Sequence, residues 1–107
     1  MTINKDDMKC RCCGKYFQTK ESIKMLKMID RQMKNIISIN CGYRCKKHNA
    51  EVGGKKNSEH LRGNAFDIVV LDPKIIYHLF EVGVIRGLGV YSWGFHVDCR
   101  KGIKAKW

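Results

Sequence analysis

The chain has one proline in 107 residues, few acids and no long apolar run, and each scarcity narrows what it can be. No stretch approaches the roughly 20 apolar residues of a transmembrane helix. Met1 to Lys15 is polar and charged and lacks the apolar centre of a secretory signal, so a soluble product of cytoplasmic synthesis is expected. Repeats and low-complexity segments are missing too, which leaves one globular domain over residues 1–107. Acids number 10 against 21 Lys and Arg, for a formal net charge of +11. Such a surface suits a nucleic acid, another polyanion or plain solvation. With 44% hydrophobic residues the core is modest, and a metal tying a loop to strands would add materially to its stability.

The periodicity predicts an α+β fold. Lys20 to Met33 carries Ile23, Leu26, Ile29 and Met33 at helical spacing. Ile36 to Ile39 reads as a short strand, followed by a long loop from Asn40 to Gly63; a loop of that length in so small a domain points to function. Ala65 to Leu71 forms the next strand. The lone Pro73 follows Asp72 at a helix start, and that helix runs through about Val82 with Ile75, Ile76, Leu79 and Phe80. Gly87 to Tyr91 and Phe95 to Cys99 are the final strands. The expected architecture is a small antiparallel sheet flanked by two helices.

The chemistry concentrates in two segments. Ser58-Glu59-His60-Leu61-Arg62-Gly63-Asn64-Ala65-Phe66-Asp67 and Phe95-His96-Val97-Asp98 together offer two histidines and a carboxylate as a three-ligand metal site. Three protein ligands leave zinc a fourth position for water, as in catalytic rather than structural sites. His60 and Asp67 are seven positions apart, too far for adjacent turns of one helix, so a loop must curl back over the start of its own strand. Gly63 and the small Ala65 permit that close approach. Alternation after Gly94 places His96 and Asp98 on one strand face, with Phe95 and Val97 on the other.

Ser-x-His-x-x-Gly-x-Ala-x-Asp with a later His-x-Asp resembles the zinc D-alanyl-D-alanine carboxypeptidases and their phage endolysin relatives, which share a fold with the Hedgehog signalling domain. Asn40-Cys41-Gly42-Tyr43-Arg44-Cys45 and His48-Asn49-Ala50-Glu51-Val52-Gly53-Gly54 are similar to the family's Ser-Gly-Tyr-Arg and Asn-x-x-Val-Gly-Gly segments. The resemblance implies that His60, Asp67 and His96 bind one catalytic zinc ion and that Arg44 lies in the substrate cleft, gripping a carboxylate or stabilising charge on the carbonyl. Ser58 and Tyr91 join it as substrate-binding candidates, although Ser58 also reads as a loop cap. Several relatives place an acid three positions before the last zinc histidine, where this chain has Trp93. Asp98 is then the leading acidic candidate, as general base or as orienting partner of a zinc histidine, ahead of Glu59 and Tyr91.

Six cysteines remain: Cys10, Cys12 and Cys13, then Cys41, Cys45 and Cys99. Cys10-x-x-Cys13 has half-knuckle spacing, and Cys41 with Cys45 would complete a second, structural zinc site; disulfides and plain thiols stay open beside it. The expected activity is hydrolysis of a peptide bond in the peptidoglycan stem by a monomer, acting on the cell wall after lysis or permeabilisation. No nucleic acid or membrane partner is expected. Two rivals stay open: a basic nucleic-acid-binding protein with a cysteine zinc site, and a zinc-binding module of this fold without catalysis.

Overall fold

The computed structural model describes residues 4–31 and 35–107. Helix α1, Lys5–Met8, is one turn capped by Asn4, and it buries Met8. Helix α2, Lys20–Arg31, begins where Thr19 Oγ1 accepts the Ser22 N–H at 3.1 Å, and its helical period carries Met25, Leu26 and Ile29 into the core. The expected continuation to Met33 lies outside the described residues. Strand β1 is Ile36–Cys41, longer than its apolar pattern suggests, because two register shifts break the alternation.

The segment expected as a long loop contains two short elements. Helix α3, Lys46–Glu51, is capped by Cys45, and a 3-10 turn covers Glu59–Arg62. Neither is long enough to show a hydrophobic period. Strand β2, Ala65–Val70, leads to helix α4, Pro73–Glu81, where Asp72 caps the Lys74 N–H at 3.0 Å and Pro73 occupies the first turn. Strands β3, Gly87–Val90, and β4, Phe95–Asp98, follow, and β5, Ala105–Lys106, closes the chain.

The sheet order is β1-β2-β4-β3-β5. The four long strands pair antiparallel as expected, while β5 runs parallel to β3 and makes the sheet mixed. Two residues are too few to leave a strand pattern in the sequence. Phe66 and Ile68 of β2, Val97 of β4 and Leu88 of β3 turn one face toward Leu26 of α2 and Ile76 of α4, all of them fully buried. Each such side chain contributes about 1.5–3 kcal/mol by leaving water.

The opposite face is built for polar groups, and Gly87 shows how closely. A Cβ there would run into the Asp98 carboxylate. Gly87→Ala is expected to cost on the order of 1–3 kcal/mol as overpacking, read as a Tm lower by roughly 4–8 °C per kcal/mol. An unchanged Tm would show that Asp98 can move aside freely.

Candidate active site

Two rows of residues cross the face away from the apolar core. Cys41, Asp67, His96 and Gly89 are successive partners across β1, β2, β4 and β3, and Ala65, Asp98, Gly87 and Ala105 form the second row. Directly opposed residues have Cβ atoms about 4.5–5.5 Å apart, so register alone makes Asp67 and His96 neighbours. His60 comes from outside the sheet. Ser58 Oγ caps its turn by accepting the His60 N–H at 3.2 Å, and Gly63, at φ 70°, ends the turn in the left-handed conformation that feeds the chain into β2.

Asp67 Oδ1 lies 3.3 Å from His60 Nε2 and 3.4 Å from His96 Nδ1. The far nitrogen of each ring is occupied. His60 Nδ1–H donates to the Gly42 carbonyl at 2.7 Å, and His96 Nε2–H donates to Asp98 Oδ2 at 2.7 Å. With the tautomers assigned by those bonds, a His60 lone pair and a His96 lone pair each face the Asp67 carboxylate oxygen. They repel unless protons or a cation sit among them. Zinc ligands at about 2.0–2.1 Å in a tetrahedron are separated by roughly 3.3 Å, which matches both distances. The donor set fits a zinc ion held by His60, Asp67 and His96.

Charge agrees with this geometry. Burial works against a positive charge on His60 and His96, yet Asp67, joined by Cys41 at His60 and by Asp98 at His96, overrides it and raises both histidines. Asp67, despite its burial, is held well below the carboxylate range by the two histidines. In the metal-free chain the raised histidines contribute stability that is fully present below about pH 6.5 and is lost as pH climbs past their folded values. Zinc binds only the deprotonated rings and reverses that sign. The depressed Asp67 and Asp98 act below this window, since their contribution is lost only as pH falls under about 4. As pH rises from about 6.5 through the raised folded values, the Tm of chelator-treated protein is therefore expected to fall and that of zinc-loaded protein to hold or rise. Parallel slopes would mean that these histidines do not carry the metal.

Asp98 is fully buried. Besides His96 it accepts from Arg100 Nε at 2.9 Å, Arg100 Nη2 at 2.7 Å and the Arg100 N–H at 3.0 Å. Burial pushes its carboxyl up, but His96 and Arg100 outweigh that and bring it down to about 2. Asp98→Asn keeps the volume and loses the charge that orients His96. Zinc affinity is expected to drop roughly 10–100-fold in a chelator competition; an affinity equal to the parent's would remove Asp98 from the metal site.

His60, Asp67 and His96 line a pocket of about 360 Å³ together with Arg44, Lys55, Tyr91, Arg100 and Trp107. Arg44 Nη2 donates to Ser58 Oγ at 3.2 Å, while its buried Nε has no hydrogen-bond partner among the described residues. Leaving such a donor unsatisfied costs about 1–3 kcal/mol. Tyr91 stacks on Trp93 at 5.1 Å, and its phenol is raised by burial and by the charge of Asp67. Glu59 is engaged by Arg62 at 2.8 Å and Asn64 at 3.2 Å. A larger, more open hollow of about 830 Å³ runs along α2 and is lined by none of His60, Asp67 and His96.

Four contributors escape the sequence reading. Gly42 acts through its carbonyl, which no side-chain pattern reveals. Trp107 lies with its ring 4.8 Å from that of His96, in space that a Cβ on Gly89 would fill. Arg100 continues the alternation of His96 and Asp98, and carrying that period two residues further would have found it. Cys41 sits with Sγ 3.8 Å from His60 Nδ1, which corrects its expected place among the thiols of a second site. The reason is the length of β1, which carries Cys41 opposite Asp67. The donors here that lie mutually within metal-binding reach are those of Cys41, His60 and Asp67, and His96 joins them through Asp67 alone; the thiol, however, meets the ring edge already bonded to Gly42, whereas His96 Nδ1 faces Asp67. All six cysteines are free, and Cys99 points to the Asn64 carbonyl at 3.5 Å.

The model of the Peptidase M15 family matches residues 2–100. The chain belongs to the M15 peptidase family. That family is zinc-dependent and acts on peptides, in keeping with a donor set that fits zinc. No curated protein sequence matches the chain. Among the described residues of this M15 peptidase, no helix is long and apolar enough to cross a membrane.

Proposed function

We propose that this M15 peptidase hydrolyses a peptide bond of the peptidoglycan stem, D-Ala-D-Ala or a neighbouring stem bond, as a single catalytic domain acting as a monomer. The observation that carries the reading is the convergence of His60, Asp67 and His96 in one pocket with an arginine that has a buried N–H to spare. Zinc held there supplies a Lewis acid for the scissile carbonyl and lowers the pKa of a water to roughly 7. Arg44 grips the carboxylate of the stem peptide or the charge developing on the carbonyl oxygen, and Ser58 holds the guanidinium in place. Lys55 and Arg100, in the same pocket, draw an anionic peptide inward.

Asp98 acts through His96. Wholly buried and clamped by Arg100, it fixes the ring's tautomer and is a positioning residue, the second of the two roles left open for it. Tyr91, in the same pocket, is the proton relay: its phenol gives its proton to the leaving amine and takes the attacking water's proton in exchange. The net charge of +11 concentrates the enzyme on polyanionic cell walls, its proposed site of action.

The test is mass spectrometry of a synthetic stem pentapeptide and of purified peptidoglycan after incubation with zinc-loaded and chelated protein. Zinc-dependent release of D-Ala, or scission within the stem, is the expected result. A folded, zinc-replete protein that cuts neither substrate would sink the reading and leave a binding module of the same fold.

A further inference from the structure

The chain carries a second cluster of metal-ligating side chains, and the peptidase chemistry uses none of it. Cys10, Cys13 and Cys45 bring their sulfurs within 4.8 Å of one another. The local backbone explains how. The Cys10 N–H donates to the Lys15 carbonyl at 2.9 Å and the Gly14 N–H returns to the Cys10 carbonyl at 2.9 Å, so residues 10–15 close into a tight turn with Cys10 and Cys13 on one side. Cys45 comes from the start of α3, thirty-five positions on from Cys10, and its N–H donates to Cys10 Sγ at 3.4 Å. The His48 N–H donates to Cys45 Sγ at 3.4 Å.

Packing does not account for this arrangement. Free cysteines kept for packing behave as small apolar groups and are buried, yet Cys13 is exposed, Cys45 is half-buried and only Cys10 is buried. Backbone N–H groups aimed at sulfur favour its thiolate form, which is the form that binds metal. Tetrahedral thiolates at about 2.3 Å from zinc lie roughly 3.8 Å apart, so the cluster needs to contract by no more than about 1 Å to close on an ion.

We infer that Cys10, Cys13 and Cys45 form a second, structural zinc site that staples the N-terminal turn to the start of α3, with the adjacent Cys12 available as fourth thiolate. Binding displaces the thiol protons and leaves the sulfurs otherwise unchanged. The staple lies next to Arg44, which follows Tyr43 and precedes Cys45, so it also anchors the segment that carries the substrate arginine. None of its ligands takes part in the reaction assigned to the pocket.

Cobalt(II) substitution with metal counting tests it. The parent is expected to bind two ions per chain, and its cobalt form to show a strong near-ultraviolet sulfur-to-cobalt charge-transfer band. The band should persist in His60→Ala and in Cys41→Ser, and vanish in Cys45→Ser. One metal should remain in His60→Ala and one in Cys45→Ser. Should Cys45→Ser not fold, the parent alone decides: zinc should protect at least three thiols from Ellman's reagent. A parent cobalt form without the sulfur band, or six thiols that react equally fast with and without zinc, would overturn the inference. A band that persists while His60→Ala loses no metal would instead count against the histidine site, so the two failures are separable.

Discussion

Asp67→Ala is expected to abolish zinc binding at the histidine site and to lower kcat/KM by at least about 10⁴-fold, roughly 5 kcal/mol of transition-state stabilisation. The size of the effect follows from the position of one oxygen. Asp67 Oδ1 is the atom that both His60 Nε2 and His96 Nδ1 face, at 3.3 and 3.4 Å, so its removal leaves two imidazoles without their common partner. Metal analysis and steady-state kinetics on the same preparation check it. The variant should stay folded, though less stable, because Asp67 lies on the polar face of the sheet and outside the apolar core. Activity within tenfold of the parent would mean that the reaction takes place elsewhere.

Arg44→Ala is expected to lose roughly 10²–10³-fold in kcat/KM while keeping its zinc. Among the described residues the Arg44 side chain is hydrogen-bonded to Ser58, not to His60, Asp67 or His96. Its Nη2 bonds Ser58 and its Nε is a buried donor in reserve, so the variant removes the Ser58 bond and the donor proposed for the substrate while leaving the candidate metal ligands in place. Arg44→Lys should recover little, since an ammonium cannot reproduce a two-pronged grip on a carboxylate. Retained zinc with a large kinetic loss distinguishes Arg44 from Asp67, and loss of zinc in Arg44→Ala would make the arginine structural.

The long elements were legible because their periods are long. Ile23, Leu26 and Ile29 mark α2, the Asp72-Pro73 start marks α4, and the alternation through Phe95-His96-Val97-Asp98 puts the two polar residues on the face that carries the site. What stayed hidden is short or made of backbone. Helices of four and six residues and a two-residue strand leave no period to read. The bulges in β1 hide the register that seats Cys41 opposite Asp67, and so a four-thiol set that looked natural by spacing divides into a thiol cluster and a neighbour of the histidine site. Asp98 shows the same limit in another form. The sequence offers a carboxylate two residues from a candidate zinc histidine; only the packing of Arg100 and the total burial of the carboxylate favour an orienting role over a proton acceptor.

The most direct measurement is a zinc-edge anomalous difference map from crystals grown with zinc. A peak bonded to His60 Nε2, the Asp67 carboxylate and His96 Nδ1, facing the pocket that Arg44 lines, is the expected result. No peak at that position, or a peak bonded through Cys41 Sγ with His96 turned away, would contradict a catalytic zinc on these three residues.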